Sequence, residues 1–143
     1  MPPSAHVRVA IEVEIPSDVR YIGQVVALVT RHCQDFSFPT QACSLNVPVA
    51  LTEAMSNAIL RGNLENREKH VRVRAIVDRE RLVLEVVDEG RGFDLDTCTV
   101  DPTTPENVVR EDGRGLFLMR QLMDRVEQFA NEGNVVRLTL QRG

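Results

Sequence analysis

The chain of 143 residues lacks an excess of basic charge, a long apolar run, internal repeats and paired cysteines, and each absence removes a class of protein. Its formal net charge of −4 gives no electrostatic case for nucleic acid or an anionic membrane as partner. No apolar stretch approaches the ~20 residues that a membrane-spanning helix needs, and Met1-Pro2-Pro3-Ser4 leads into no signal-peptide core. Cys33, Cys43 and Cys98 are odd in number and scattered, so reduced cytosolic thiols are expected, with Cys33 in a core. His6, His32 and His70 are too dispersed to mark a metal site. No low-complexity segment or linker divides the chain. A single cytoplasmic domain over residues 1–143 is the expectation.

What is present is alternation. Val7, Val9, Ile11, Val13 and Ile15 face one way and Arg8, Ala10, Glu12 and Glu14 the other, as in a strand with one dry face and one wet face. Val71 to Val77 and Leu82 to Val87 alternate likewise, and the short Asp78–Arg81 connector predicts an antiparallel hairpin. A last strand places Val136, Leu138 and Leu140 inward. Between the strands run three amphipathic segments: Val19 to Phe36, a central helix from Ser44 or Asn46 to about Gly62, and Leu116 to Phe129. Four strands and three helices, with a polar second face on the strands, predict an α+β two-layer sandwich. Its sheet is mixed and mostly antiparallel, with the helices on one face.

The central helix carries the first candidate site. Glu53 and Asn57 are one turn apart, so a carboxylate and a carboxamide point the same way. Leu51, Ala54, Met55, Ala58 and Ile59 form a separate buried stripe. Taken alone, this pair is also what an ordinary helix face looks like.

Two glycine clusters give it context. Asp88-Glu-Gly90-Arg-Gly92 leaves a strand, and a carboxylate there can accept from the exocyclic amine of a flat ring while glycines admit close backbone approach. Gly113-Arg114-Gly115 opens a helix, whose free N–H groups suit an anion. In isolation the first is also a Gly-rich turn and the second a hinge or cap. Neither is a P-loop nor a dinucleotide fingerprint. Between them, Asp94 to Asp112 holds two prolines, six acidic residues and little periodicity, as a functional lid would.

Glu-x-x-x-Asn on a helix, Asp-x-Gly-x-Gly after a strand and Gly-x-Gly opening a helix together resemble the GHKL (Bergerat-fold) ATPase superfamily. In finer detail (Glu53-Ala-Met-Ser-Asn57-Ala, Asp88-Glu-Gly-Arg-Gly-Phe-Asp94, Asp112-Gly-Arg-Gly-Leu116) the chain resembles the anti-sigma-factor serine/threonine kinase branch. The resemblance implies that Asn57 coordinates Mg²⁺ on the ATP phosphates and that Glu53 is the general base. It implies that Asp88 takes the adenine amine, with Gly90 and Gly92 shaping the pocket. Gly113, Arg114 and Gly115 would wrap the phosphates under an ATP lid at 94–112. The implied substrate is a serine or threonine on a STAS-type anti-sigma-factor antagonist. A sigma factor or other output protein would be a second partner, and the chain would be a homodimer.

Arg61 stands where close relatives often have His, and Asn134 where a Thr commonly follows Gly. Two other readings remain. One is an ATP-gated module that sequesters a partner without phosphotransfer; the other is a histidine-kinase-type catalytic domain. The latter fits less well, because a strand and helix before the central helix fill the domain and His32 is followed by Cys33 rather than an acidic residue.

Overall fold

A computed structural model describes residues 7–90, 111–130 and 133–143, with backbone alone for 111–115. The elements in chain order are β1 (Val9–Pro16), α1 (Ile22–Asp35), α2 (Val47–Asn57), β2 (His70–Val77), β3 (Arg81–Asp88), α3 (Glu111–Leu122), β4 (Arg125–Ala130) and β5 (Asn134–Gln141). The strands form one sheet in the order β1-β2-β3-β5-β4, and every pairing is antiparallel. Helices pack on one face, so the expected α+β sandwich is the observed one, with a sheet that is antiparallel throughout the described residues rather than mixed.

The register explains both faces of the sheet. Ile11, Ala75, Leu84, Leu138 and Val126 stand side by side across all five strands and point at the helices. One residue along, Glu12, Arg74, Glu85, Arg137 and Glu127 form a row of alternating charge on the other face. Arg74 reaches Glu12 and Glu85 at 3.4 Å each, and Arg137 reaches Glu85 at 2.8 Å. A one-residue slip of any strand would put its charges into the core, so burial fixes the pairing. The half-exposed ion pairs themselves contribute little stability.

Helix α2 is the hub of the helical layer: it packs on α1, on α3 and on β3. Val47, Ala50, Leu51, Ala54 and Met55 are fully or almost fully buried, each large apolar side chain contributing roughly 1.5–3 kcal/mol relative to exposure. The helical column starts a little before the expected Ser44 or Asn46 and is wider at both ends. A π-helical turn, Ala42–Asn46, leads into it, and a second, Ala58–Gly62, continues it to the expected stop at Gly62. Pro48 gives the first a cause. It has no N–H and its ring crowds the carbonyl one turn back, and the preceding turn is widened, with the Val47 amide bonded to the Ala42 carbonyl.

Two expectations require correction. The stretch expected to run as helix to Phe129 stops at Leu122, and Arg125–Ala130 is a fifth strand, β4. Its Val126 and Phe129 satisfy the three-residue spacing of the preceding helix, but β5 offers an open edge whose backbone groups need partners, and sheet pairing prevails. Helix α3 also begins at Glu111, two residues before Gly113. Cys33 and Cys43, scattered in sequence, meet in the core with sulfurs 3.0 Å apart as free thiols. Cys98 lies outside the described residues. Among the described residues no helix is long and apolar enough to cross a membrane.

Candidate functional site

The inward row of β3 runs Leu82, Leu84, Val86 and then Asp88, so alternation carries a carboxylate onto the dry side of the sheet. Asp88 is 1% exposed. Opposite it in the ladder stands Asn134, 3% exposed, at the start of β5. The sheet's inner face thus ends in a polar corner. The Gly90 amide donates to Asp88 Oδ1 at 2.9 Å, and Asn134 Nδ2 approaches Oδ2 at 3.4 Å. Gln128 on β4 donates to Asn134 Oδ1, which turns the Asn134 amide nitrogen toward Asp88. Burial pushes the Asp88 pKa above the usual carboxylate range, with the Gly90 and Asn134 contacts opposing the rise.

Three glycines make this corner possible. A Cβ on Gly62 would lie 2.2 Å from Asp88 Oδ2, and one on Gly90 would lie 1.7 Å from the Gly62 carbonyl oxygen. Gly133 has a φ of +138°, and its Cβ would meet the Asp88 carbonyl oxygen at 2.2 Å. Only a residue without Cβ fits any of these places. The end of the α2 helical column is therefore seated directly against the turn that follows β3.

Beside Gly62, Asn63 is 1% exposed and fully engaged. Its Oδ1 accepts from the Glu89 amide at 2.8 Å, while Nδ2 donates to Ser17 Oγ at 2.9 Å and to the His70 carbonyl at 3.0 Å. Ser17 Oγ in turn donates to the Lys69 carbonyl at 2.7 Å.

Glu53 and Asn57 lie one turn apart on α2, both half-buried, and Glu53 is engaged within the protein, as is Arg61. The column that carries them ends at Gly62, so the expected base, the expected metal ligand and Asp88 belong to one rigid unit. Gly113, Arg114 and Gly115 fall in the first turns of α3, which packs on α2. Gly92, and the expected lid from 94 to 110, lie outside the described residues; Glu111 and Asp112 are already helical.

A groove of about 630 Å³ opens on the charged side of the sheet. It includes Asp88 and Glu89 but is otherwise walled by Arg72, Arg74, Glu85 and Arg137, groups that are largely paired with one another, and by Phe129 beneath the Arg137 guanidinium. It has the make-up of a solvated sheet face.

Sequence reasoning missed Asn63, Gln128 and Gly133, and it read Gly62 as a helix stop. A signal existed. The dipeptide Gly-Asn occurs at Gly62-Asn63 and at Gly133-Asn134, and both pairs converge on the Asp88 turn. Asn134, where the resemblance leads one to expect a Thr, presents a donor toward Asp88.

An ionised carboxylate offers about four acceptor positions, and among the described residues only Gly90 and Asn134 donate to this one. A dried carboxylate with acceptor capacity to spare, in a corner that glycines let pack closely, suits an amine-bearing flat ring. Residues 15–140 match the family described as the histidine kinase-like ATPase domain, and the chain belongs to that family.

Its curated relatives include the serine-protein kinase RsbW of Bacillus velezensis, 32% identical over 134 residues, spanning 90% of this chain and 83% of that protein. RsbW of Bacillus subtilis is 31% identical with the same coverage. The anti-sigma F factor of Bacillus thuringiensis is 32% identical over 104 residues, 71% of each chain. A crystal structure of RsbU and RsbW domains from Mycobacterium tuberculosis has the same fold, with a TM-score of 0.66 at 13% identity, covering 94% of this chain and 33% of that one.

Proposed function

We propose that this chain is an ATP-dependent protein serine/threonine kinase of a bacterial partner-switching system. It phosphorylates a STAS-type anti-sigma-factor antagonist and sequesters a sigma factor or other output protein, in the cytoplasm and as a homodimer. The observation that carries the reading is the seating of the Glu53/Asn57 helix column on the Asp88 corner through Gly62. A base anchor and a phosphate-handling pair held in one rigid unit are what phosphoryl transfer needs, since its catalysis is mostly positioning and charge neutralisation.

In this reading Asp88 accepts from the adenine amine, and Gly90 and Gly92 let the base lie against backbone. Asn57 would hold Mg²⁺ through its side-chain oxygen; one protein ligand completed by phosphates and water is ordinary for this ion, which neutralises charge on the phosphates. Gly113, Arg114 and Gly115 would bring the N-terminal end of α3 to the phosphates, with the lid expected at 94–112 reduced to the residues before Glu111. Glu53 takes the proton from the substrate hydroxyl as its oxygen attacks the γ-phosphorus. The bond to ADP then breaks, and ADP leaves with the electron pair.

The test is incubation with γ-labelled ATP, Mg²⁺ and each candidate STAS-domain protein, in wild type, Glu53→Ala and Asn57→Ala. Acid-stable label on a partner is expected with wild type only. Glu53→Ala should bind Mg-ATP as wild type does, and Asn57→Ala should lose it. Retained transfer in Glu53→Ala would remove the base assignment, and unchanged nucleotide affinity in Asn57→Ala would remove the metal assignment. Mg-ATP binding without label on any partner would favour the sequestering module.

A further inference from the structure

We propose that Asn63 is a positioning residue for the nucleotide, acting through Asp88 by holding the turn after β3 against the end of the α2 column. The inference rests on the ATP-binding reading above. Ladder pairing of β3 ends at Asp88, opposite Asn134 on one side, and at Val87, opposite Arg72, on the other. The next amide, that of Glu89, has left the sheet, and its acceptor is Asn63 Oδ1 at 2.8 Å. The amide after that, Gly90, donates to Asp88 Oδ1 at 2.9 Å. The orientation of the Asp88 carboxylate therefore depends on where the Glu89–Gly90 backbone is held, and Asn63 is the side chain that holds it.

The carboxamide is itself held so that it can present only its oxygen to Glu89. Both Nδ2 hydrogens are taken, by Ser17 Oγ at 2.9 Å and the His70 carbonyl at 3.0 Å, which fixes the amide's orientation. Ser17, 2% exposed, is locked in turn by its bond to the Lys69 carbonyl. Asn63 thus pins the helix end to the exits of β1 and β3 and to the start of β2 at one buried point. The Gly62–Gly90 contact prevents the turn from moving inward, since there is no space there even for a methyl group. Outward movement is opposed by two contacts: the exposed bond from the His70 amide to Glu89 Oε2 at 2.5 Å, and the bond to Asn63, which alone holds the Glu89 backbone amide and is anchored in the interior. A turn that swings outward takes the Gly90 amide away from Asp88 and leaves only the long 3.4 Å contact from Asn134 to orient the carboxylate toward the base. Asn63 touches no part of the nucleotide in this arrangement; its effect is on the geometry of the residue that does.

A purely structural role and a positioning role separate in one calorimetric titration of the full chain with Mg-ADP, which avoids turnover. Loss of stability alone raises the apparent Kd only by the inverse of the folded fraction, which a urea melt of the same variant supplies and which is negligible for a variant still folded at the assay temperature. Loss of positioning raises Kd beyond that factor. Asn63→Leu, close in volume and without polar atoms, is expected to raise Kd by about tenfold, the effect of one lost hydrogen bond expressed through the site. Ser17→Ala keeps the Asn63–Glu89 bond but frees one Nδ2 hydrogen, and should raise Kd by roughly two- to threefold. It serves as the deciding variant where Asn63→Leu does not fold. Wild-type Kd in folded Asn63→Leu, or in Ser17→Ala where only that variant folds, overturns the positioning role while leaving ATP binding intact. Wild-type protein that binds no Mg-ADP overturns the ATP-binding reading and this inference with it.

Discussion

Asp88 has opposite consequences for stability and for ligand binding, because both depend on its charge. Burial raises its pKa in the folded chain above the unfolded value, so the folded state takes up this proton first as pH falls. The group's contribution to stability therefore improves on acidification through the raised folded pKa and is complete below the unfolded one. Affinity for an adenine amine moves the other way, since the protonated carboxyl loses acceptor strength. Asp88→Asn should accordingly be more stable than wild type near neutrality, on the order of 1 kcal/mol, with the gap closing in acid. The same variant should bind Mg-ATP about 10- to 100-fold more weakly, the worth of a hydrogen bond to a charged group. Thermal melts and nucleotide titrations of both proteins across pH would check both halves. Equal stability at all pH values would mean that the carboxylate is not desolvated. Among the candidate residues, spacing singled out Glu53 and Asn57, and its place at a strand's end singled out Asp88. Asn63 and Gln128 were not singled out, because an amide's role depends on which donors and acceptors meet it from distant segments.

At the scale of elements, the glycines set the tolerance of the site. Gly90→Ala would drive a Cβ into the Gly62 carbonyl, backbone against backbone with nothing flexible to yield. A loss of about 1–3 kcal/mol in unfolding free energy is expected, together with loss of nucleotide binding. Gly23→Ala is the contrast: a Cβ there meets nothing within 4 Å, and the position lies in α1. That change should stabilise by roughly 0.5–1 kcal/mol through the unfolded chain and the helix. Urea denaturation of the pair separates the two effects, and a neutral Gly90→Ala would argue against the close seating of α2 on the β3 turn. The strand β4 shows where element reading fails. Val126 and Phe129 fit the spacing of α3, whereas Arg125 to Ala130 alternate poorly, with Gln128 on the Val126 face and Phe129 among the charges. Local pattern favours the helix, and the open edge of β5 overrides it.

At the scale of the whole molecule, the site joins the two layers: Asp88 and Asn134 belong to the sheet, and Glu53, Asn57 and Gly62 to the helical column. A ligand that bridges both should stabilise the fold as a unit. At one hundred times its Kd, Mg-ATP should add about 2.7 kcal/mol and raise Tm by roughly 10 °C for a chain of this length. Chelation of Mg²⁺ by EDTA should remove most of that shift if Asn57 holds the ion. A shift unchanged by EDTA would place the binding energy in the base pocket alone.

Local pattern was enough to determine the amphipathic helices, four strands, the two-layer class and the three motifs from which the candidate site is drawn. Each of these depends on periodicity or on residues within a few positions of one another. Tertiary structure alone decided that Arg125–Ala130 pairs as a strand, that Cys33 meets Cys43, and that two Gly-Asn pairs 71 positions apart in the chain close on one carboxylate. The reason is common to all three: their partners are brought together only when the layers pack, and sequence distance carries no record of that contact.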